Sequence, residues 1–451
     1  VVGNPPYVNA NDIKKSNSAQ AYNFLKNNYE TAKWTVDLYI YFFERWLKLL
    51  KENGILSYIT PNRFLSASYG ASLREYILNN YQIISFVDYS DKKVFSDAST
   101  YPVISFIKNN HTKKYILSSG EFNENTKEPI LNDFNSDMLT ILEENIWWFL
   151  LNDKITITKK VFDDWTSLKN VGKINATSTA KEAEEYSGLV NNNKPWMKLI
   201  NTWTIDPYIS LRGKNYLIDK WRKILNPTID ITSDIISQNR RHLYSTKKII
   251  ISKIWLKCEA FLDKDWEYAS INTNCIHGFS DEFLPGYVLC WLSSKLYNYT
   301  FECLFDWLRM SWWYLLYSAP NLKNTSIKNI SLSDQQPFIE KADAMIELKK
   351  EFHEKIDFNL RFLQSKFSIE KPSTKLSKFR EIDFSWFLKE LKVKKLPMDT
   401  EAELMRYFEK EKTEILVLKN KIDETDKEID DMVFDLYELT EEERKVVLGI
   451  I

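Results

Sequence analysis

Apolar and polar positions change period several times along the chain. From Asp37 to Leu50 apolar residues cluster at helical spacing, and Asn53-Gly54 supplies a left-handed stop, so a helix with Asp37 at its N-cap is predicted. Ile55-Leu56-Ser57-Tyr58-Ile59-Thr60 is a short buried strand ended by Pro61-Asn62. A helix is expected around Tyr22–Tyr29 and another over Gly70–Asn79, with strands over Ile83–Tyr89 and Tyr101–Lys108. This alternation describes the second half of a doubly wound α/β domain.

Beyond it the pattern changes twice. Residues 116–190 are mixed and polar, with Trp147-Trp148 expected against the preceding domain and a flexible or helical run from Thr177 to Ser187. From about residue 336 the chain is helical. Leu404, Phe408, Ile415, Leu418, Ile422, Ile429, Val433 and Leu436 form one apolar stripe, and Thr440 with Glu443 makes a capping box. A long amphipathic helix or antiparallel coil that braces its neighbour or clamps DNA fits this pattern; a dimerising coil is the alternative. The fold expected is α/β plus α+β plus α, divided at residues 1–120, 121–189, 190–335 and 336–451.

Composition narrows the class. Charged residues are 27% and aromatics 14%, as in a folded globular chain. No apolar run approaches the roughly 18 residues of a membrane helix, so the expectation is a cytoplasmic protein with no membrane partner. Cys258, Cys275, Cys290 and Cys303 make no Cys-x-x-Cys pair, so reduced core cysteines are expected. Cys275-x-His277 is the only hint of a metal, and no metal site is assigned.

The net charge of -1 hides a local surplus. Between residues 194 and 257 thirteen Lys and Arg face four Asp, nine positive charges in excess. Lys214, Arg240, Arg241, Lys247, Lys248 and Lys253 are the candidate DNA contacts. Lys247-Lys248 stands at the start of a strand, read as a wall with projecting lysines. Gln238-Asn239-Arg240-Arg241-His242 carries side chains able to read base edges. Trp307, Trp312 and Trp313 read as core, with a DNA-facing position as the alternative.

The chemistry sits at the start. Val1-Val2-Gly3 reads as the end of a buried strand, and Asn4-Pro5-Pro6-Tyr7 as a rigid turn, because each proline fixes its own φ and restricts the residue before it. The Asn4 side-chain oxygen and a proline carbonyl can accept both hydrogens of one NH₂ group while the Tyr7 ring stacks on the ring that carries it. An amine held so has its lone pair free for an electrophile.

Asn4-Pro5-Pro6-Tyr7 resembles the catalytic motif of the amino-methyltransferases that use S-adenosylmethionine. With its surroundings the chain resembles the TaqI-like adenine-specific DNA methyltransferases, and more closely the methylase and specificity parts of the fused type IIG restriction–modification enzymes. The likeness runs through most of the chain in order. It takes in the helix at Asp37–Leu50, the strand ending Thr60-Pro61-Asn62, the strand Lys248–Ile254, the strand Ser270–Asn274, the helix Gly286–Leu296, and Leu322-Lys323-Asn324 to Leu332. It implies that Phe95 packs on the far face of an extruded adenine and that Leu38 and Phe42 enclose the adenine of the cofactor. Spacing alone reads Phe95 as a loop plug and Leu38 with Phe42 as core.

It further implies methylation of adenine in a recognised double-stranded DNA sequence. The glycine-rich cofactor loop of such enzymes has no counterpart among the ten glycines, which contain no Gly-x-Gly. The expectation is therefore that most of the cofactor site, the amino-terminal methyltransferase half and any nuclease precede residue 1, leaving this chain inactive alone. A DNA-binding specificity fragment without catalysis is the alternative, and a protein-glutamine methyltransferase a weaker one.

Overall fold

The computed structural model describes residues 1–8, 12, 19–33, 35–90, 101–163, 165–309, 313–393 and 397–451. The chain forms two compact units. The first comprises 1–165 with 299–315 and 324–326; the second comprises 166–298, 316–323 and 327–451.

The first unit is built on a six-stranded mixed sheet. In chain order its elements are β1 (Val2–Gly3), α1 (Ala19–Asn28), α2 (Leu38–Lys48), β2 (Ile55–Pro61), α3 (Ala71–Asn80), β3 (Gln82–Asp88), β4 (Pro102–Lys108), β5 (Ile116–Asn123) and β6 (Glu128–Asn135). The strand order is β1-β2-β4-β3-β5-β6, with β1 parallel to β2, β3 parallel to β5 and the other pairs antiparallel. The strands expected from the apolar runs are present, and the sheet continues to Asn135 through a hairpin that the polar sequence after 116 conceals. Trp147 is buried on this sheet, its ring 5.9 Å from that of Phe86 and its Nε1–H donating to the Leu139 carbonyl.

Two sequence readings shift. Among the described strands β1 pairs with β2 alone, and Val2 is 87% exposed. After α2 it is Asn53 that takes the left-handed conformation, at φ +61. Gly54 serves close approach instead: a Cβ there would stand 2.8 Å from the Lys51 carbonyl oxygen.

The second unit contains β7 (Lys173–Ala176), β8 (Val190–Asn192), β9 (Met197–Asn201), the hairpin β10 (Leu217–Asp219) and β11 (Arg222–Ile224), β12 (Pro227–Ile229), α4 (Gln238–Tyr244), β13 (Lys248–Ser252), β14 (Ala260–Asp263), β15 (Tyr268–Ile271), β16 (Thr273–His277) and α5 (Pro285–Ser293). Two four-stranded sheets result, ordered β15-β9-β12-β8 and β14-β13-β16-β7. The run expected as one strand over Ser270–Asn274 breaks at Asn272, where φ is +54. Asparagine tolerates that conformation better than most residues. The break sends β15 into one sheet and β16 into the other.

Two long helices complete this unit, α6 (Leu332–Phe367) and α7 (Met398–Leu436). Lys341 pairs with Glu428, and Lys355 with Glu411 and Glu414, so the helices run antiparallel. Their apolar stripes are buried within the chain, and α6 braces the sheets: Phe338 packs on Tyr287 of α5 at 5.0 Å, and Lys349 bonds Asp206 at 2.5 Å. The capping box at Thr440 and Glu443 is present. All four cysteines are buried and unbridged, and no helix among the described residues is long and apolar enough to cross a membrane.

Candidate active site and nucleic-acid surface

The Asn-Pro-Pro-Tyr turn leaves β1 at its carboxyl end, beside the carboxyl end of the parallel strand β2. That is where open α/β sheets bind ligands. Pro5 is buried and anchors the turn; Asn4 and Pro6 are exposed. Among the described residues no donor reaches the Asn4 side chain or the carbonyls of Pro5 and Pro6. These acceptors are unpaired among the described residues.

Tyr7 is fixed. Its hydroxyl donates to the Ile59 carbonyl of β2 at 3.0 Å, and its ring meets Tyr39 edge-on at 6.4 Å. Behind it runs a chain of ring contacts, Tyr39 to Phe64 at 6.4 Å, Phe64 to Phe43 at 5.4 Å, and Phe43 to Tyr58 at 5.2 Å. Gly3 lies against that layer, a Cβ there standing 3.0 Å from the Tyr58 ring. Burial raises the Tyr7 phenol to about 12, so the hydroxyl is neutral at ordinary pH.

Helix α2 starts at the same place, because the Leu38 N–H donates to the Val8 carbonyl at 2.9 Å. Asp37 occupies the N-cap without a side-chain cap bond. Tyr39, Ile40, Phe43 and Leu47 fill the core, whereas Leu38 and Phe42 stay half-exposed on one strip. The reading of these two as core is therefore corrected: the helix buries the neighbouring face and leaves them partly exposed, with Leu38 tied through its N–H to Val8.

Phe95 lies outside the described residues, but residues 90 and 101 on either side are held. The Asn62 side-chain amide donates to Ser90 Oγ at 2.9 Å, and the Asn62 N–H donates to the Tyr101 carbonyl at 2.8 Å. Asn62 is itself buried. Sequence reading noticed Thr60-Pro61-Asn62 only as a strand end; its leash on residues 90 and 101 is non-local and carried no signal. Tyr69 was missed too. Its hydroxyl lies 2.8 Å from that of Tyr39 and interacts with Asp37, which holds the aromatic layer in register.

The basic surface of the second unit is much reduced by pairing. Lys248 does not project: it is fully buried, with Nζ 2.6 Å from Asp263 and 2.7 Å from the Tyr244 carbonyl, and burial lowers its pKa. That candidate DNA contact is withdrawn, because an ammonium so enclosed reaches no phosphate without unpacking the sheet. Arg240 forms a two-nitrogen contact with Glu182 and donates to the Ala176 carbonyl. Arg241 donates to the carbonyls of Ile236 and Ser233 and lies 3.7 Å from Asp234. Lys214 is partly buried beside Asp357 of α6 at 3.5 Å. Lys247 is exposed and Lys253 half-exposed, and no carboxylate among the described residues pairs with either.

The other candidates separate likewise. His277 Nε2 lies 2.8 Å from Asn175 Oδ1, Cys275 is buried, and no metal-binding cluster occurs among the described residues. Trp313, read as core, is 70% exposed; Trp312 lies outside the described residues.

Comparison with known proteins bears on the first unit. Residues 1–95 match the family described as Eco57I restriction-modification methylase. Residues 331–433, covering much of the paired helices, match a domain of unknown function, DUF8810. The type II restriction enzyme and methyltransferase RM.Eco57I of Escherichia coli is 30% identical over 182 residues, 40% of this chain and 18% of that protein. The type II methyltransferase M.XhoI of Xanthomonas vasicola is 38% identical over 109 residues, 24% of this chain and 19% of that one. The chain thus spans a minor part of these relatives. A solved structure of the type IIL restriction-modification enzyme MmeI with DNA aligns over 100% of this chain and 56% of that one, at 11% identity and a TM-score of 0.39, too slight to carry weight. Residues 1–95, which carry the ledge and its aromatic support, are thus similar to the Eco57I restriction-modification methylases.

Proposed function

We propose that this chain supplies the amine-binding side of a site-specific DNA methyltransferase that modifies adenine in duplex DNA, together with the domain that reads the duplex. The observation that carries the proposal is the ledge: acceptors on Asn4, Pro5 and Pro6, unpaired among the described residues, at the carboxyl end of β1, with Tyr7 pinned to Ile59. A strand order β1-β2-β4-β3 suits the second half of a methyltransferase sheet.

The chemistry follows from these residues. Asn4 Oδ1 and the Pro5 carbonyl accept the two hydrogens of the exocyclic amine, orienting its lone pair away from the ledge. Tyr7 stacks on the base, which must leave the helical stack to arrive there. A phenol raised to about 12 and donating to Ile59 does not act as the base, so the departing amine proton goes to water. Phe95 would close the opposite face of the base, from between residues 90 and 101, which Asn62 holds. S-adenosylmethionine would supply the electrophilic methyl group. Leu38 and Phe42 fit the apolar edge of that cofactor, being apolar and half-exposed on the helix whose first N–H bonds Val8.

The test is a titration of this chain with S-adenosylmethionine and duplex DNA, followed by analysis of the nucleosides for N-methylated adenine. Methylated adenine that disappears in Asn4→Ala supports the whole reading. Duplex binding without saturable cofactor binding favours the specificity-fragment reading. Methylation of a glutamine amide in protein, with none in DNA, would overturn both.

A further inference from the structure

The hairpin formed by β10 and β11 is anchored at its base and bare at its tip. Leu217 pairs with Ile224 across the ladder, and both belong to the buried cluster that also holds Tyr186, Leu199 and Ile229. Asp219 pairs with Arg222, and Arg222 donates to the Ser187 carbonyl at 3.0 Å, so the arms cannot splay. The connection is the two residues Lys220-Trp221, with Lys220 at φ +54, a conformation that costs a residue with a Cβ.

Trp221 is 98% exposed. An indole left wholly in water adds nothing to the packing of its own chain, and its apolar area is available to a partner. The charge around it says which. Lys220 and Lys223 are exposed with no carboxylate partner among the described residues. Lys194 has none either; it follows Asn193, whose N–H bonds the Asn226 carbonyl at 2.9 Å, two residues past the hairpin. Alternating cations and an exposed ring on a stiff two-residue tip match a polyanion whose flat groups can be stacked upon.

We propose that this hairpin is a wedge for duplex DNA: Trp221 stacks on a base at the point where the helical stack opens, while Lys220 and Lys223 engage the flanking phosphates. The proposal rests on the DNA reading above and assigns to Trp221 stacking at an opened step of the duplex. A fully stacked duplex offers an indole no free face, so the contact requires an opened step.

The experiment compares the full chain with Trp221→Ala, Trp221→Phe and the double variant Lys220→Ala/Lys223→Ala. Each is titrated against a labelled random-sequence duplex and the same duplex carrying one abasic position. The parent chain should prefer the abasic duplex, and Trp221→Ala should lose that preference and bind it about tenfold more weakly. Trp221→Phe should retain most of the preference. The lysine variant should weaken both duplexes alike and flatten the salt dependence. Equal preference in the parent and Trp221→Ala overturns the wedge while leaving DNA binding intact. A parent chain that binds neither duplex at low salt overturns the DNA reading and the wedge with it. Unchanged thermal melting in all variants is the folding control, since none of the three side chains is buried.

Discussion

The amino-terminal ledge and the basic surface of the second unit were both visible as short runs of residues, yet folding treats the two differently. The ledge is a local device. Two prolines set its backbone, and the residues that support it, β2 and α2, follow within a short stretch of chain. The basic surface is a sum over residues whose partners lie elsewhere. Six of its thirteen cations find carboxylates: Lys198 with Glu267, Lys214 with Asp357, Arg222 with Asp219, Arg240 with Glu182, Arg241 with Asp234 and Lys248 with Asp263. Four of those acids, Glu182, Glu267, Asp263 and Asp357, lie outside the window in which the surplus was counted. A charge count over a window overstates a surface whenever the neutralising groups come from other elements.

The largest effect expected from this contrast is at Lys248. Lys248→Ala leaves the Asp263 carboxylate buried without its cation and should destabilise the second unit by about 3–5 kcal/mol, read by denaturant unfolding. A variant as stable as the parent would restore Lys248 as a surface residue. Next is Asn4→Ala, expected to cut methyl transfer at least about 100-fold in any preparation of the enzyme that transfers methyl groups, with no change in melting because the side chain is exposed. A smaller loss would mean that the ledge orients the amine without Asn4. Asn62→Ala should cost about 1–3 kcal/mol of stability by removing the side-chain bond to Ser90, while the backbone bond to Tyr101 remains. Limited proteolysis between residues 90 and 101 should rise with it.

A titrating group tests the same packing from another side. Burial raises the Glu259 carboxyl to about 8, with Asp206 adding to the effect. The folded state therefore holds this proton more tightly than the unfolded chain. Its contribution to stability is complete below the ordinary carboxylate range and is lost as pH rises through about 8. Melting of the parent should fall over that interval, and Glu259→Gln should flatten the fall. The smallest effect is expected at Lys247, where Lys247→Ala should leave melting unchanged and reduce the salt slope of duplex binding by about one unit.

How far the sequence could be read follows from the range of the determining interactions. Strands β2, β3 and β4 and helices α2, α6 and α7 were legible from apolar period alone, since each buries a stripe that its own residues define. β5 and β6 were not, because Glu128, Pro129, Ile130 and Leu131 lie exposed and show no buried face. The corner at Asn272 was not legible either; an αL residue inside an apolar run leaves no period. At the site, the motif singles out Tyr7, while its hydrogen bond to Ile59, and the hold of Asn62 on residues 90 and 101, depend on chain pairing that no short motif reveals.

Lys247 and Lys248 stand side by side at the start of β13 and face opposite worlds. An amine-selective acylating reagent applied to the native chain should modify the first and spare the second, and both would be recovered in one peptide. The unmodified neighbour is then a built-in reference that corrects for reagent decay and sample loss. Any treatment that opens the sheet around Asp263 would show itself as the appearance of the doubly acylated peptide. Two adjacent residues thus make a reporter of local opening that requires no foreign label in the protein.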